Sequence, residues 1–316
     1  MKLSKNFTNM KITNLSSEPL GVLYSWLPDK LKAEHVVFLP DACPGKSPLP
    51  TGTAVYTQQT DWRQFAISDC GCGMRLLKST LTIDKLNQSM WDSLAGALRK
   101  NRGMIGDLGG GNHFLDALLP YSENYLYFLI HTGSRQESGV VNDLINSPYD
   151  FDREFQRIVG WAENNRAIIQ KIIENIIGNL ELVLDLPHNT YEQLENGVII
   201  RKGSVRLYPN QLSILPSHMS GDAVLIRAKE KINEILYSMS HGTGRIMSRS
   251  DAKEMACQFD FTNFRSKIIM PSMMSNASIT TEGPYAYRNL EDCLLMIKQY
   301  IEEVERFSVV AYAGHL

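Results

Sequence analysis

The chain has 316 residues, of which 43% are apolar and 21% charged, and a formal charge of -2. That length allows one large domain or two ordinary ones, and so small a net charge excludes a global field that would draw the protein onto a polyanion. No apolar run approaches membrane-spanning length and no secretory core follows the Met1 start, so a cytoplasmic protein without a membrane partner is expected.

Residues 1–35 read as a peripheral start. His35–Pro40 is a short buried-strand pattern, Asp41–Lys46 is expected to turn, and Gly52–Thr57 reads as a second strand. Ser68-Asp69-Cys70-Gly71-Cys72-Gly73 then puts a carboxylate and two thiols within four residues. An Asp-x-x-Cys spacing folds back over one tight turn, so Asp69 and Cys72 can face a single cation. One intervening residue excludes a relaxed disulfide between Cys70 and Cys72. With Cys43, Cys257 and Cys293 the count is odd and without framework spacing, so the cysteines read as free thiols or ligands.

Leu86, Met90, Leu94 and Leu98 mark a helix over 85–101 with one apolar stripe. A glycine run, Gly109-Gly110-Gly111, leads to Asn112 and His113; it reads as a tight turn or as backbone able to approach an anion. Tyr125–Ile130 is a buried strand that delivers His131. Residues 150–179 form the longest helix, with Gly178 suited to its C-terminal cap. Glu181–Pro187 is a strand ending in His188, and Asn196-Gly197 signals a hairpin that hands over Arg201 and Lys202. Ala223–Ala228 is a strand. A helix is expected over 289–307 from Leu290, Leu294, Ile297, Ile301 and Val304, followed by a closing strand at Ser308–Ala313. No linker, repeat or low-complexity tract divides the chain, so residues 1–316 are expected to form a single α+β domain.

His113, His131 and His188 each follow a strand or a glycine turn. One such histidine is usually structural. With Asp69 and Cys72, however, they make a donor set that suits a pair of Mn²⁺, Zn²⁺ or Co²⁺ ions better than Mg²⁺, which prefers oxygen. His241 differs from them. It stands in His241-Gly242-Thr243-Gly244-Arg245 with Arg249 beyond, a setting for a nucleophile on phosphorus or for a phosphate-binding loop.

These motifs, together with Asn112-His113-Phe114-Leu115, His131-Thr132-Gly133-Ser134-Arg135, His188-Asn189 and Arg201-Lys202-Gly203, occur in the order found in the RtcB family, which the chain resembles from about residue 36 to 290. Members of that family are GTP-dependent RNA ligases. They join a 3′-phosphate or 2′,3′-cyclic phosphate end to a 5′-hydroxyl, in RNA repair or tRNA splicing. The resemblance implies a single-domain fold with a mixed β-sheet core, peripheral helices and a metal site in a central cleft. It implies one Mn²⁺ on Asp69, Cys72 and His113, and a second on Cys72, His131 and His188. His241 would carry GMP, and the nucleotide would touch Asn112, His113, Phe114, Asp116, Asn189, Pro216, Ser217, His218, Met219, Gly242, Thr243, Gly244 and Tyr287. Arg135, Arg201, Lys202, Arg245 and Arg249 are candidates for RNA or triphosphate anions. The family leaves room for an activating protein partner.

The chain is shorter than typical members and departs from them near the base. Cys43 replaces a usual His, Asp116 a usual Glu, and Pro216-Ser217-His218-Met219-Ser220 a Pro-Gly-Ser-Met-Gly loop; Gly314-His315-Leu316 replaces a terminal Lys-Gly. Two other readings stand beside the ligase. One is a metal-dependent phosphohydrolase that opens cyclic phosphates without joining ends. The other is a non-catalytic module that binds RNA ends.

Overall fold

The computed structural model describes residues 10–45, 48–66, 69–134, 137–314 and 316. The start of the chain is β1 (Lys11–Asn14), α1 (Leu20–Trp26), β2 (His35–Cys43) and β3 (Thr51–Thr57). The expected turn at Asp41 is corrected: β2 runs on through Asp41 and Ala42 to Cys43, with an irregularity in its pairing to β3 after Phe38. Burial accounts for this, because Asp41 and Ala42 are both fully buried.

Next come β4 (Gly73–Thr82), α2 (Gln88–Arg99), β5 (Phe114–Pro120) and β6 (Tyr125–Thr132). Asn87 caps α2 by accepting from the Met90 N–H at 3.0 Å. The long helix α3 (Pro148–Ile177) opens on a proline, whose missing N–H costs nothing in a first turn, and closes at Gly178. Its apolar stripe (Phe151, Phe155, Ile158, Ala162, Ile169 and Ile173) is buried. Behind it lie β7 (Leu180–Pro187), then the hairpin of β8 (Asn189–Leu194) and β9 (Gly197–Lys202). The chain continues through β10 (Ser204–Arg206), β11 (Leu212–Pro216), β12 (Asp222–Ala228) and β13 (Ser238–Ser240). Three short helices follow: α4 (Arg249–Ala256), α5 (Phe261–Arg265) and α6 (Asn276–Ile279).

The expected helix over 289–307 is also corrected. Only α7 (Leu290–Ile297) is helical, and from Ile301 the chain is the long strand β14 (Ile301–Ala313). Apolar residues three and four apart fit a helix, yet β14 lies between β12 and β5 and hydrogen-bonds to both. Strand pairing overrides local period there.

The strands form a seven-stranded sheet in the order β11-β12-β14-β5-β6-β4-β7, a five-stranded sheet in the order β1-β2-β3-β9-β8, and the pair β10-β13. Pairing is antiparallel except between β1 and β2, so the core is a mixed sheet structure. Val37, Leu39 and Ala54 of the smaller sheet share an apolar cluster with Leu215, Val224 and Ile226 of the larger one. The helices cover the outside, with α2 and α3 on one face of the large sheet. The architecture is α+β, and among the described residues no helix is long and apolar enough to cross a membrane.

Trp91 of α2 is fully buried and its indole N–H donates to the Tyr312 carbonyl at 3.1 Å, tying α2 to β14. Trp91→Ala should destabilise the fold by about 4 kcal/mol through the cavity and the orphaned carbonyl. Urea denaturation checks this as a lower midpoint with an unchanged slope.

Candidate active site

Sheet order brings four of the five donors to one end of the sheet. Because β5, β6, β4 and β7 are antiparallel neighbours, the start of β5, the end of β6, the start of β4 and the end of β7 share one edge of the sheet. His113 directly precedes β5, His131 is the penultimate residue of β6, Cys72 directly precedes β4, and His188 directly follows β7. The His188 N–H donates to the Cys72 carbonyl at 2.7 Å, which fixes these two against each other.

The Asp69–Cys72 turn is closed by the Cys72 N–H on the Asp69 carbonyl at 3.1 Å. Asp69 is held at φ 47°, a left-handed conformation that a non-glycine residue adopts at a cost. Gly71 follows at φ +72°, and a Cβ there would lie 2.8 Å from the Cα of Val159 on α3, so only glycine fits under the helix. The Asn189 amide clamps the turn, donating to the Asp69 carbonyl at 3.0 Å and accepting from the Gly203 N–H at 2.8 Å. Ser134 donates to the Cys70 carbonyl, and its own N–H reaches Asp69 Oδ1 at 3.2 Å.

Two sets of potential ligand atoms result, each within 4.8 Å of one another: Asp69, Cys72 and His113, and Cys72, His131 and His188. Cys72 Sγ lies 3.5 Å from His113 Nε2 and 3.4 Å from His131 Nε2, and His113 Nε2 is 3.6 Å from Asp69 Oδ2. Cys72 belongs to both sets. Burial and the neighbouring imidazoles hold His131 and His188 far below the usual histidine range, which keeps them neutral with a lone pair to offer. Burial and Asp69 push the Cys72 thiol well up, so a cation would be needed to draw out its proton. His113 Nδ1 and His188 Nδ1 are buried without a hydrogen-bond partner. Soft and borderline donors packed this closely fit a pair of transition-metal ions, and three protein ligands each leave room for substrate oxygen.

His241 follows β13 and stands beside this cluster, its ring centroid 4.5 Å from that of His188 and 6.1 Å from that of His131. Its Nδ1 is 2.7 Å from Asp41 Oδ2 and 2.8 Å from the Gly203 carbonyl oxygen. Both neighbours accept, so Nδ1 carries a proton, which in the neutral ring leaves the lone pair on Nε2. Asp41 is fully buried. Gly244, at φ +73°, lets the backbone pass Asp41 where a Cβ would come within 2.7 Å.

Asp69, Cys72, His131, His188 and His241 border a cleft of about 750 Å³. Of the residues expected to touch nucleotide, Asn112, Phe114, Asp116, Asn189, Pro216, Ser217, His218, Met219, Gly242, Thr243, Gly244 and Tyr287 line it, as do Lys202, Arg245 and Arg249. His113 borders a second cavity of about 450 Å³. Arg201 is not brought to the cleft. Its side chain is wholly buried, paired with Glu192 at 2.9 Å and hydrogen-bonded to Ser238 and the Leu236 carbonyl. Arg135, like Lys46 and Ser68 of the quoted motifs, lies outside the described residues.

Asp116 is buried where it lines the cleft, its Oδ1 has no hydrogen-bond partner, and burial raises its carboxyl well above the usual range. Burial also raises the Tyr287 phenol, whose hydroxyl donates to Glu282. Glu282 pairs with Arg245 at 3.1 Å and Arg249 at 3.4 Å, which ties both guanidiniums to the cleft wall. The sequence reading missed Asp41 and Glu282 as parts of the site. Asp41 looked like a turn residue, and Glu282 has no local signature.

A profile of the family described as tRNA-splicing ligase RtcB matches residues 151–312. RNA-splicing ligase RtcB2 of Escherichia coli is 25% identical over 83% of this chain and 83% of its own length. RNA-splicing ligase RtcB of Escherichia coli K12 is 20% identical over 86% of this chain and 88% of its own. The tRNA-splicing ligase RtcB of Nanoarchaeum equitans is 25% identical over 62% of this chain and 56% of its own. The family match and the meeting of both donor sets at one cysteine agree, and the chain belongs to the RtcB family.

Proposed function

We propose that this chain is an RNA ligase that joins 3′-phosphate or 2′,3′-cyclic phosphate ends to 5′-hydroxyl ends through a histidine–GMP adduct on His241. The observation that carries the reading is the imidazole of His241, oriented by Asp41 and set against a double donor set that shares Cys72. Asp69, Cys72 and His113 would hold one Mn²⁺, and Cys72, His131 and His188 the other, with Zn²⁺ or Co²⁺ served by the same donors. Such ions supply neutralisation of phosphoryl oxygens and help align in-line attack.

The chain's own groups supply the rest. His241 Nε2 attacks the α-phosphorus of GTP, a P–N bond forms, and the bond to the β-phosphate oxygen breaks to release pyrophosphate. Asp41 accepts from Nδ1–H throughout and stabilises the charge that gathers on the ring. Lys202, Arg245 and Arg249 line the cleft where triphosphate or RNA phosphates would pass, and their charge offsets those anions. Guanylate then moves from His241 to an oxygen of the RNA 3′-phosphate, restoring the free imidazole. The 5′-hydroxyl displaces GMP from that activated end and closes the phosphodiester. A cyclic end is first opened by water. Asp116, Tyr287 and the Pro216–Met219 loop border the space left for the base. We take residues 1–316 as a single catalytic domain, working in the cytoplasm, where the thiols stay reduced.

The test is direct. With Mn²⁺ and GTP, the protein should convert an RNA pair bearing 3′-phosphate and 5′-hydroxyl ends into a joined product. Opening of a cyclic end without joining, undiminished in His241→Ala, would mean a phosphohydrolase instead.

The orienting role of Asp41 makes a separate prediction. Asp41→Asn leaves the shape of the site but offers Nδ1 an amide that can face it donor-first, so adduct formation should slow by about 10²–10⁴-fold. Nucleotide affinity, read by equilibrium dialysis, should stay close to that of the unaltered protein.

A further inference from the structure

Two polar side chains of α3 take no part in the chemistry above. Asn165 is 1% exposed and Arg166 0%, and they sit side by side on the face of the helix turned to the sheet. Burying a guanidinium is costly, and as a source of net stability such a group is poor. Its hydrogen bonds therefore call for another explanation. Arg166 Nη1 donates to the Gly71 carbonyl at 3.0 Å and to the Thr132 carbonyl at 3.2 Å, while Nε donates to Asp185 Oδ1 at 2.6 Å. Asn165 accepts from the Gly106 N–H at 2.6 Å and donates to the Asp107 carbonyl at 3.0 Å.

Each partner leads to a donor. Gly71 lies between Asp69 and Cys72, Thr132 follows His131, and Asp185 is on β7, which leads directly into His188. The Gly106–Asp107 loop runs on to His113. The sheet does not finish this task. The ladder joining β4 to β6 and β7 ends at the pairs Gly73–Thr132 and Gly73–Pro187, so Cys72 and His188 stand one step beyond the last rung. A single guanidinium nitrogen, Nη1, bridges that gap, joining Gly71 to Thr132 where the β4–β6 pairing has stopped.

We infer that Asn165 and Arg166 are positioning residues that set the spacing of the metal ligands, one stretch of α3 joining every segment that delivers a donor. The inference rests on the metal reading given under Proposed function. It requires two nitrogens held apart on one rigid plane, Nη1 for the two carbonyls and Nε for Asp185, because a single lysine ammonium cannot reach all three partners together. Groups of this kind, placed behind the ligands, typically change metal affinity by 10–100-fold on substitution.

The test is Co²⁺ titration of the full chain, followed by the thiolate-to-cobalt absorption band, in Arg166→Lys and Asn165→Asp. Urea denaturation of the metal-free proteins is run in parallel. Each variant that is folded should bind Co²⁺ about 10–100-fold more weakly, with a weakened or shifted band. If Arg166→Lys fails to fold, Asn165→Asp, which keeps the acceptor for Gly106 and loses the donor to Asp107, carries the same test. A lowered urea midpoint with unchanged Co²⁺ affinity and band would overturn the inference by reducing both residues to structural ones. Failure of the unaltered protein to take up Co²⁺ would instead sink the metal reading, and this inference with it.

Discussion

His241→Ala should reduce the acid-labile protein–GMP adduct formed from α-labelled GTP to background, a loss of about 10³-fold or more. The expectation follows from what the neighbouring imidazoles are doing. His131 and His188 are buried at 1% and 2% exposure, and with Cys72 they form one of the two sets that could hold a metal ion. His241 belongs to neither set, and its Nδ1 is engaged by Asp41 and Gly203, which leaves Nε2 to react. Metal uptake should survive this substitution, because no ligand is removed. An adduct of undiminished amount in His241→Ala would show that another group is the nucleophile, and the account of the cleft would have to be redrawn around it.

The second large effect concerns Cys72. It stands in both donor sets, whereas His113 belongs to one and His188 to the other. Cys72→Ala should therefore abolish uptake of both ions, while His113→Ala and His188→Ala should each spare one. Elemental analysis of Mn²⁺-loaded, desalted protein reads this directly as ions per chain. Joining activity should fall to background in Cys72→Ala, since among the described residues no other thiol belongs to either set. If Cys72→Ala kept one ion and His188→Ala kept both, the shared-thiolate arrangement would be wrong.

Much of this site was legible because its donors sit where short-range signals change. His131 and His188 end apolar strand patterns, His113 ends a glycine run, and the Asp69–Cys72 spacing fits one turn. Sheet order, which no local pattern carries, then decides that all these ends share one edge. The errors have the same origin. Asp41 has turn-like neighbours, but it is fully buried, and β2 regains its pairing with β3 at Cys43 beyond it. Ile301 and Val304 continue a helical period that β12 and β5 interrupt. Arg201 reads as a surface cation of a hairpin, yet its partner Glu192 lies on the adjacent strand and the guanidinium is buried. Asn165 and Arg166 left a signal that could have been used. They fall at the spacing of Ala162, Ile169 and Ile173, on the buried stripe of α3, where a polar pair demands an explanation.

The central claim is that donors scattered along the chain hold paired ions at one shared thiolate beside His241. Anomalous diffraction from crystals soaked in Mn²⁺ tests it most directly. The account predicts a pair of peaks flanking Cys72 Sγ, one bounded by Asp69 and His113 and the other by His131 and His188. Peaks confined to surface carboxylates, or a single peak that leaves either histidine group uncoordinated, would contradict it.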